Sequence, residues 1–220
     1  MLDEKPCASI LKINNYAKFR QYINRGIILG GVNEKGACIT FDDGPSIYSF
    51  SMLNILRRHN VKATFFMLGE KIISNIDVVR EVLNDGHDIA VHGMHHIPVT
   101  NLDDNIFMKS IDIFEGLCEE HNIQYKKAFR PPFGEIDEQK LKLLMQRGYK
   151  VILWSFDSLD WQRNSMQMIT EISSLDDFNH TYLFHDGAIT PGSRLETMKA
   201  LEHLILTCEN NDCDFVKSKW

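Results

Sequence analysis

Apolar and polar positions fall into a regular rhythm from Gly36 onward, with short apolar runs alternating with stretches of helical period. The runs Ala37–Phe41, Ala63–Leu68, Asp88–Val91, Ala128–Arg130, Val151–Phe156, Thr181–Phe184 and Asp214–Lys217 predict seven strands. Between them, Met52, Leu53 and Leu56 form the apolar stripe of a helix ending near Asn60. Ile72, Ile76, Val79 and Leu83 repeat at four, three and four residues, and Gly86 supplies a stop. Thr100 and Asp103 have the spacing of a cap before a helix carrying Ile106, Ser110, Phe114 and Leu117. Leu141, Leu144 and Met145 lead to Gly148, and Met198, Leu201 and Ile205 line the last helix. Trp161 to Asn179 predicts a loop followed by a short helix.

Strict strand–helix alternation predicts an α/β chain with a parallel sheet. A closed or nearly closed barrel and an open doubly wound sheet both satisfy it. No Gly-x-Gly-x-x-Gly follows the first strand, which disfavours a dinucleotide-binding sheet. No linker rich in Pro, Gly or Ser divides the chain and no repeat recurs, so residues 36–220 are expected to form a single domain. Residues 1–35 lie outside the rhythm and read as an N-terminal extension or cap, with a short helix between Ile10 and Tyr22.

Composition narrows the class. At 44% hydrophobic and 25% charged, the 220 residues can build a core, which argues against disorder. The net charge of −6, with no block of Lys or Arg, argues against nucleic acid or an anionic membrane surface as partner. No apolar run is long enough to span a membrane. Met1 to Pro6 lead into no apolar signal core, which leaves two locations open: the cytoplasm, or the cell wall if an export segment has been removed. Cys7, Cys38, Cys118, Cys208 and Cys213 show no C-x-x-C spacing, so a thiolate zinc site is not expected. In a secreted chain, Cys7 or Cys38 could pair with Cys208 or Cys213.

The polar residues sort by position. Asp42 and Asp43 follow the first predicted strand, and His92 and His96 the third. Arg130 ends the fourth, Asp157 and Asp160 follow the fifth, and His185 and Asp186 the sixth. All lie at strand C-terminal ends, the face where α/β barrels gather catalytic groups. Adjacent residues at a strand end point to opposite sides. Asp42 and Asp43 are therefore expected to divide their work, one holding a metal and the other facing a reacting water. The bland reading is that Asp-Gly-Pro is ordinary turn chemistry.

His92 and His96, at i and i+4, are spaced to place both imidazoles on one side of a helical turn, which suits one metal. With one carboxylate they make a set that leaves positions open for water and substrate. The prolines after Arg130 predict an extended chain from which the guanidinium can grip a carboxylate bidentately. A surface ion pair is the simpler reading of that Arg. Trp154 to Trp161 sets Asp157 and Asp160 among aromatics, either as loop caps or as an apolar wall with a carboxylate to orient a histidine. Leu183-Phe184-His185 offers that histidine, although a lone His ending a strand can equally be structural.

Taken in order, these stretches resemble the five motifs of the polysaccharide deacetylases of carbohydrate esterase family four. The first is Thr40-Phe41-Asp42-Asp43-Gly44-Pro45 and the second His92 to His96. Arg130-Pro131-Pro132-Phe133-Gly134, Asp157-x-x-Asp160-Trp161 and Leu183-Phe184-His185 follow. Ala63-Thr64-Phe65-Phe66 and Trp154-Ser155 are similar to the family's connecting segments, and the resemblance covers residues 36–218. It implies a distorted (β/α)7-type barrel and metal-dependent removal of acetyl groups from the N-acetylglucosamine-type residues of chitin, chitooligosaccharide or peptidoglycan. It makes Asp43, His92 and His96 the ligands of a divalent metal, Zn2+ first, with Co2+, Mn2+ or Ni2+ as alternatives. Asp42 becomes the general base, Arg130 its positioning partner, His185 the general acid and Asp160 the group that orients it. Phe133, Trp161 and Leu183 wall the acetyl pocket, and a monomer is expected. One departure is Gly93, which stands where the family usually has Ser or Thr and so lacks a hydroxyl to brace the loop.

Three other readings remain at this point. An Asp with two His also suits non-haem Fe(II) oxygenases. A wall-associated protein could keep the fold and bind sugar with little catalysis. The amide could also sit on a nucleotide sugar, a lipid-linked sugar or a non-sugar molecule.

Overall fold

In the computed structural model the described residues are 35–187 and 194–217, together with the backbone of Ile27–Ile28. The expected helix between Ile10 and Tyr22, and Cys7, lie outside them. The strands are β1 (Ile27–Ile28), β2 (Cys38–Gly44), β3 (Ala63–Met67), β4 (Asp88–Val91), β5 (Ala128–Phe129), β6 (Lys150–Ile152), β7 (Phe156–Asp157) and β8 (Thr181–His185). They form one sheet in the order β1-β6-β5-β4-β3-β2-β8-β7, and every pairing is parallel. Strands β2 to β8 make the seven-stranded distorted barrel.

The barrel closes by an unusual route. β6 and β7 are separated by only Leu153, Trp154 and Ser155, yet they lie on opposite sides of the strand order. The four steps from Ile152 to Phe156 reach at most about 14 Å, so the two sides of the sheet must curl toward each other. The predicted strand Val151–Phe156 is therefore two strands divided at a seam. Its middle residues leave one ladder before joining the next, where Ser155 N–H donates to Thr181 O at 3.0 Å. The predicted strand Asp214–Lys217 reduces to a single bridge between Phe215 and Ala37.

The helices are α1 (Ser49–Arg58), α2 (Gly69–Ile72), α3 (Ile76–Asn84), α4 (Asp104–Glu120), α5 (Glu138–Gln146), α6 (Ser165–Ser173) and α7 (Leu195–Asn210). Asp103 caps α4 itself by accepting from Asn105 N–H, in place of the expected Thr100 cap. α6 begins with a reciprocal capping box between Asn164 and Gln167.

Alternate residues of the strands serve two cores. Phe41, Phe65, Ile89, Phe129 and Val151 pack with the helices. Phe66, Ala90, Ala128 and Ile152 form a separate small cluster. Two alanines in that second set leave room for a large buried side chain, and Arg130, fully buried, takes it, with its guanidinium 3.9 Å from the Phe66 ring centre.

Among the described cysteines, Cys38, Cys118 and Cys208 are buried, Cys213 is half-buried, and none forms a disulfide. The pairing of Cys38 with Cys208 or Cys213 is thus not made. No described helix is long and apolar enough to cross a membrane.

Candidate active site

Asp42 and Asp43 lie inside β2 rather than after it. The register against β3 shifts between Asp42 and Gly44, and Asp43 adopts φ 70. Simple alternation would send the two carboxylates apart. The left-handed residue breaks the alternation, and both carboxylates approach the same imidazole. His92 Nε2 lies 3.3 Å from Asp43 Oδ1 and 3.8 Å from Asp42 Oδ2. The distorted backbone is tightly enclosed: a Cβ on Gly44 would lie 2.3 Å from Asp186 Oδ2, and one on Gly187 would lie 2.3 Å from Asp43 O. Glycine is required at both places by close approach.

The histidine segment is an irregular bend rather than a helical turn. Gly93 makes it with φ 97, a conformation open to glycine and strained for Ser or Thr. The brace that a hydroxyl would give comes instead from the backbone. Gly93 O and Met94 O accept from Gly69 N–H and Glu70 N–H at 2.9 and 3.0 Å. His96 Nε2 also lies 3.3 Å from Asp43 Oδ1, and one ligand atom from each of Asp43, His92 and His96 falls within 4.8 Å of the others.

Asp43 Oδ1 is buried and has no N–H or O–H directed at it. Burial pushes its carboxyl pKa up, but His92 first, then His185 and His96, outweigh that and hold it well below the ordinary range. His92 Nδ1 is 2.7 Å from Arg130 O, a carbonyl that can only accept. Nδ1 therefore carries a proton, and Nε2 is the nitrogen turned toward Asp43 and the one placed to ligate a cation. For His96, burial lowers the pKa and so favours the neutral, ligating imidazole, against the pull of Asp43.

Arg130 follows β5 directly, and Pro131 is extended, but Pro132–Gly134 forms a tight turn with Phe133 at φ 60. The guanidinium does not grip a carboxylate bidentately. Nη1 donates to Asp42 Oδ1 at 2.7 Å and to Thr40 Oγ1 at 2.8 Å. Nε and Nη2 donate to Ile152 O and Leu153 O, each at 3.2 Å. These two carbonyls sit where the ladder breaks, so Arg130 satisfies the seam's backbone as well as the carboxylate.

Asp160 is 3% exposed and accepts from several sides. His185 Nδ1 lies 2.6 Å from its Oδ1. His185 N–H at 3.0 Å and Thr197 Oγ1 at 2.8 Å donate to Oδ2, and Arg194 Nη1 stands 3.4 Å away. Burial lowers the His185 pKa, but the Asp160 carboxylate outweighs it and pushes the imidazole up to about 9. Thr197, on α7, and Arg194, just before it, were not anticipated. They lie far along the chain from Asp160, and no local pattern marks them. Thr40, inside the first motif, joins the site by accepting from Arg130 while donating to Tyr182 O.

One cavity of about 350 Å3 is lined by Asp42, Asp43, His92, His96 and His185 together with Phe133, Trp154, Asp157, Trp161 and Leu183, with Arg130 and Asp160 behind its wall. The Phe133 ring centre is 4.4 Å from that of His96, Trp161 is 56% exposed at the rim, and Leu183 is buried at the wall. Burial raises the Asp157 carboxyl, whose Oδ1 accepts from Leu159 N–H. Every site residue expected from the sequence thus borders the cavity or directly holds one that does.

Residues 30–152 match the family model described as polysaccharide deacetylase. A peptidoglycan-N-acetylglucosamine deacetylase of Bacillus cereus is 31% identical over 189 residues, covering 85% of this chain and 68% of the relative. Among solved structures, the Bc1960 peptidoglycan N-acetylglucosamine deacetylase superposes with a TM-score of 0.81 at 28% identity, covering 90% of this chain and 94% of the other. A family 4 carbohydrate esterase from Streptomyces lividans, solved with acetate, gives a TM-score of 0.73 at 27% identity, covering 84% and 94%.

Proposed function

The chain belongs to the polysaccharide deacetylase family, and from that membership and the cavity's chemistry we propose that it hydrolyses the N-acetyl groups of peptidoglycan or chitin N-acetylglucosamine residues with one divalent cation, Zn2+ first, held by Asp43, His92 and His96. The observation that carries this reading is the convergence of that triad with Asp42 and an Asp160-bound His185 on one cavity. The donor set fits the cation. A buried carboxylate oxygen without a hydrogen-bond donor faces two imidazole nitrogens, and the proton of His92 is held on the far nitrogen. One carboxylate and two imidazoles leave coordination positions free for water and substrate. When bound, the cation supplies Lewis acidity toward a water and toward the amide carbonyl.

The chain's own groups then move the protons. Arg130 engages Asp42 Oδ1, leaving Oδ2 to accept the proton of the attacking water. An amide nitrogen leaves poorly without a proton. His185, kept protonated at neutral pH by Asp160, has Nδ1 occupied and offers Nε2–H to the departing amine. Thr197 and Arg194 hold the second oxygen of Asp160, so the His–Asp pair keeps its orientation. Phe133 and Leu183 enclose the acetyl methyl, and the exposed Trp161 offers a flat face to the sugar ring.

The Fe(II) oxygenase reading fits poorly, because those enzymes bring their ligands from an all-β double sheet and this sheet is wholly parallel and flanked by helices. Acetate release from peptidoglycan fragments, chitooligosaccharides and acetylated nucleotide sugars, with and without a chelator, tests the proposal. Chelator-sensitive release from one of the two polymers is expected. Release from nucleotide sugars alone would move the substrate class, and sugar binding without release would leave a binding protein.

A further inference from the structure

Four consecutive residues that supply no ligand, Leu68 to Lys71, bond both ligand-bearing segments. On the aspartate side, Leu68 N–H donates to Gly44 O at 2.8 Å, and Lys71 Nζ donates to Asp43 O at 2.8 Å. On the histidine side, Gly69 N–H and Glu70 N–H donate to Gly93 O and Met94 O, the carbonyls between His92 and His96. The Glu70 carboxylate also lies 2.6 Å from His95 Nδ1. β3 thus ends in a piece of chain hydrogen-bonded to both ligand-bearing segments, which sets their separation.

Asp43 most needs such a brace. Its backbone is left-handed and its carbonyl is closely packed against Gly187. A charged ammonium donating to that carbonyl is stronger than a neutral donor would be. Apart from the Glu70 carboxylate on the histidine side, the other bonds of the bracket come from backbone N–H groups, so its sequence-specific element toward Asp43 is Lys71.

We propose that Leu68–Lys71 is a bracket that fixes the Asp43 carboxylate relative to the His92 and His96 imidazoles, with Lys71 as a positioning residue for cation binding. This rests on the assignment of those three residues as metal ligands. Lys71 touches neither substrate nor cation; it acts through the backbone of Asp43.

The test is a zinc titration of metal-free protein in competition with a chromogenic chelator, for wild type, Lys71→Met and Lys71→Arg. Unfolding midpoints of the metal-free proteins, and kcat and KM at saturating zinc, complete it. Lys71→Met is expected to weaken zinc binding by about 10- to 100-fold, as loss of a group supporting a ligand does. Lys71→Arg, which can reach the same carbonyl, should recover most of that loss. The metal-free midpoints should agree, and kcat at saturating zinc should return close to wild type. Unchanged zinc affinity in Lys71→Met would overturn the proposal, as would a loss matched by a lower metal-free midpoint, or no rescue by Arg. Should Lys71→Met fail to fold, Lys71→Gln, which keeps an N–H donor without the charge, must fall between wild type and an unbraced site. A wild type that takes up no zinc would instead defeat the ligand assignment itself, a distinct result.

Discussion

Asp42 and His185 are register partners on the adjacent parallel strands β2 and β8. The two proposed proton-transfer groups are therefore set side by side by sheet hydrogen bonding rather than by loop conformation. A residue slip in that ladder would turn one of them out of the cavity. Each is then oriented by a second buried group, Asp42 by Arg130 and His185 by Asp160.

Asp42→Asn should leave zinc binding intact, because Asp42 is not among the three ligands, while turnover falls by about 10²–10⁴-fold, the usual contribution of a general base. His92→Ala should lose both zinc and turnover. Parallel zinc titration and kcat measurement separate the two. A near-normal rate in Asp42→Asn would move the base to another group.

The rate should have a basic limb set by His185. Its imidazole is raised to about 9 by Asp160 against the lowering effect of burial. A bound cation opposes that rise, so the limb in the loaded enzyme should fall between the ordinary 6.5 and about 9. Asp160→Asn should shift it toward lower pH and reduce kcat at pH 8 more than at pH 6. In the metal-free protein the same pair contributes stability that is fully present below about 6.5 and is lost as pH rises through about 9. Unfolding midpoints across that window should therefore decline less in Asp160→Asn than in wild type.

Arg130→Lys should not be conservative. A lysine cannot donate to Asp42, Thr40 and the two seam carbonyls together. Leaving a buried carbonyl of the seam unsatisfied costs about 1–3 kcal/mol. Denaturant unfolding should show a loss of that order, with turnover reduced even where the protein remains folded. Equal stability would mean that the seam is closed by other bonds.

Much of the site was readable because its groups sit at the C-terminal ends of short apolar runs, where periodicity can be followed. Asp42, His92 and His185 reach one cavity for that reason, and Arg130 and Asp160 reach the side chains they hold there. What escaped was set by tertiary contact. Val151–Phe156 is apolar except for Ser155, and that one residue does not mark a seam between two strands. The turn of Asp43 into left-handed backbone depends on Gly187, over a hundred residues away. Lys71, Thr197 and Arg194 act through partners remote in sequence. The Asn164–Gln167 capping box, by contrast, is a local pattern, and it sets where the loop after Trp161 ends and α6 begins.

Trp161→Ala should raise KM more than it lowers kcat, since the ring borders the cavity at its exposed rim and takes no part in proton transfer. Loss of about 1.4 kcal/mol of sugar contact corresponds to a tenfold rise in KM. A fall in kcat at unchanged KM would place Trp161 in the chemistry instead.

The most direct measurement is cation stoichiometry taken together with acetate release from an N-acetylglucosamine oligomer. One zinc per chain in wild type and none in Asp43→Ala, with release abolished by chelation and restored by zinc, is the predicted result. Undiminished acetate release from the chelated enzyme, or full zinc occupancy in Asp43→Ala, would contradict it.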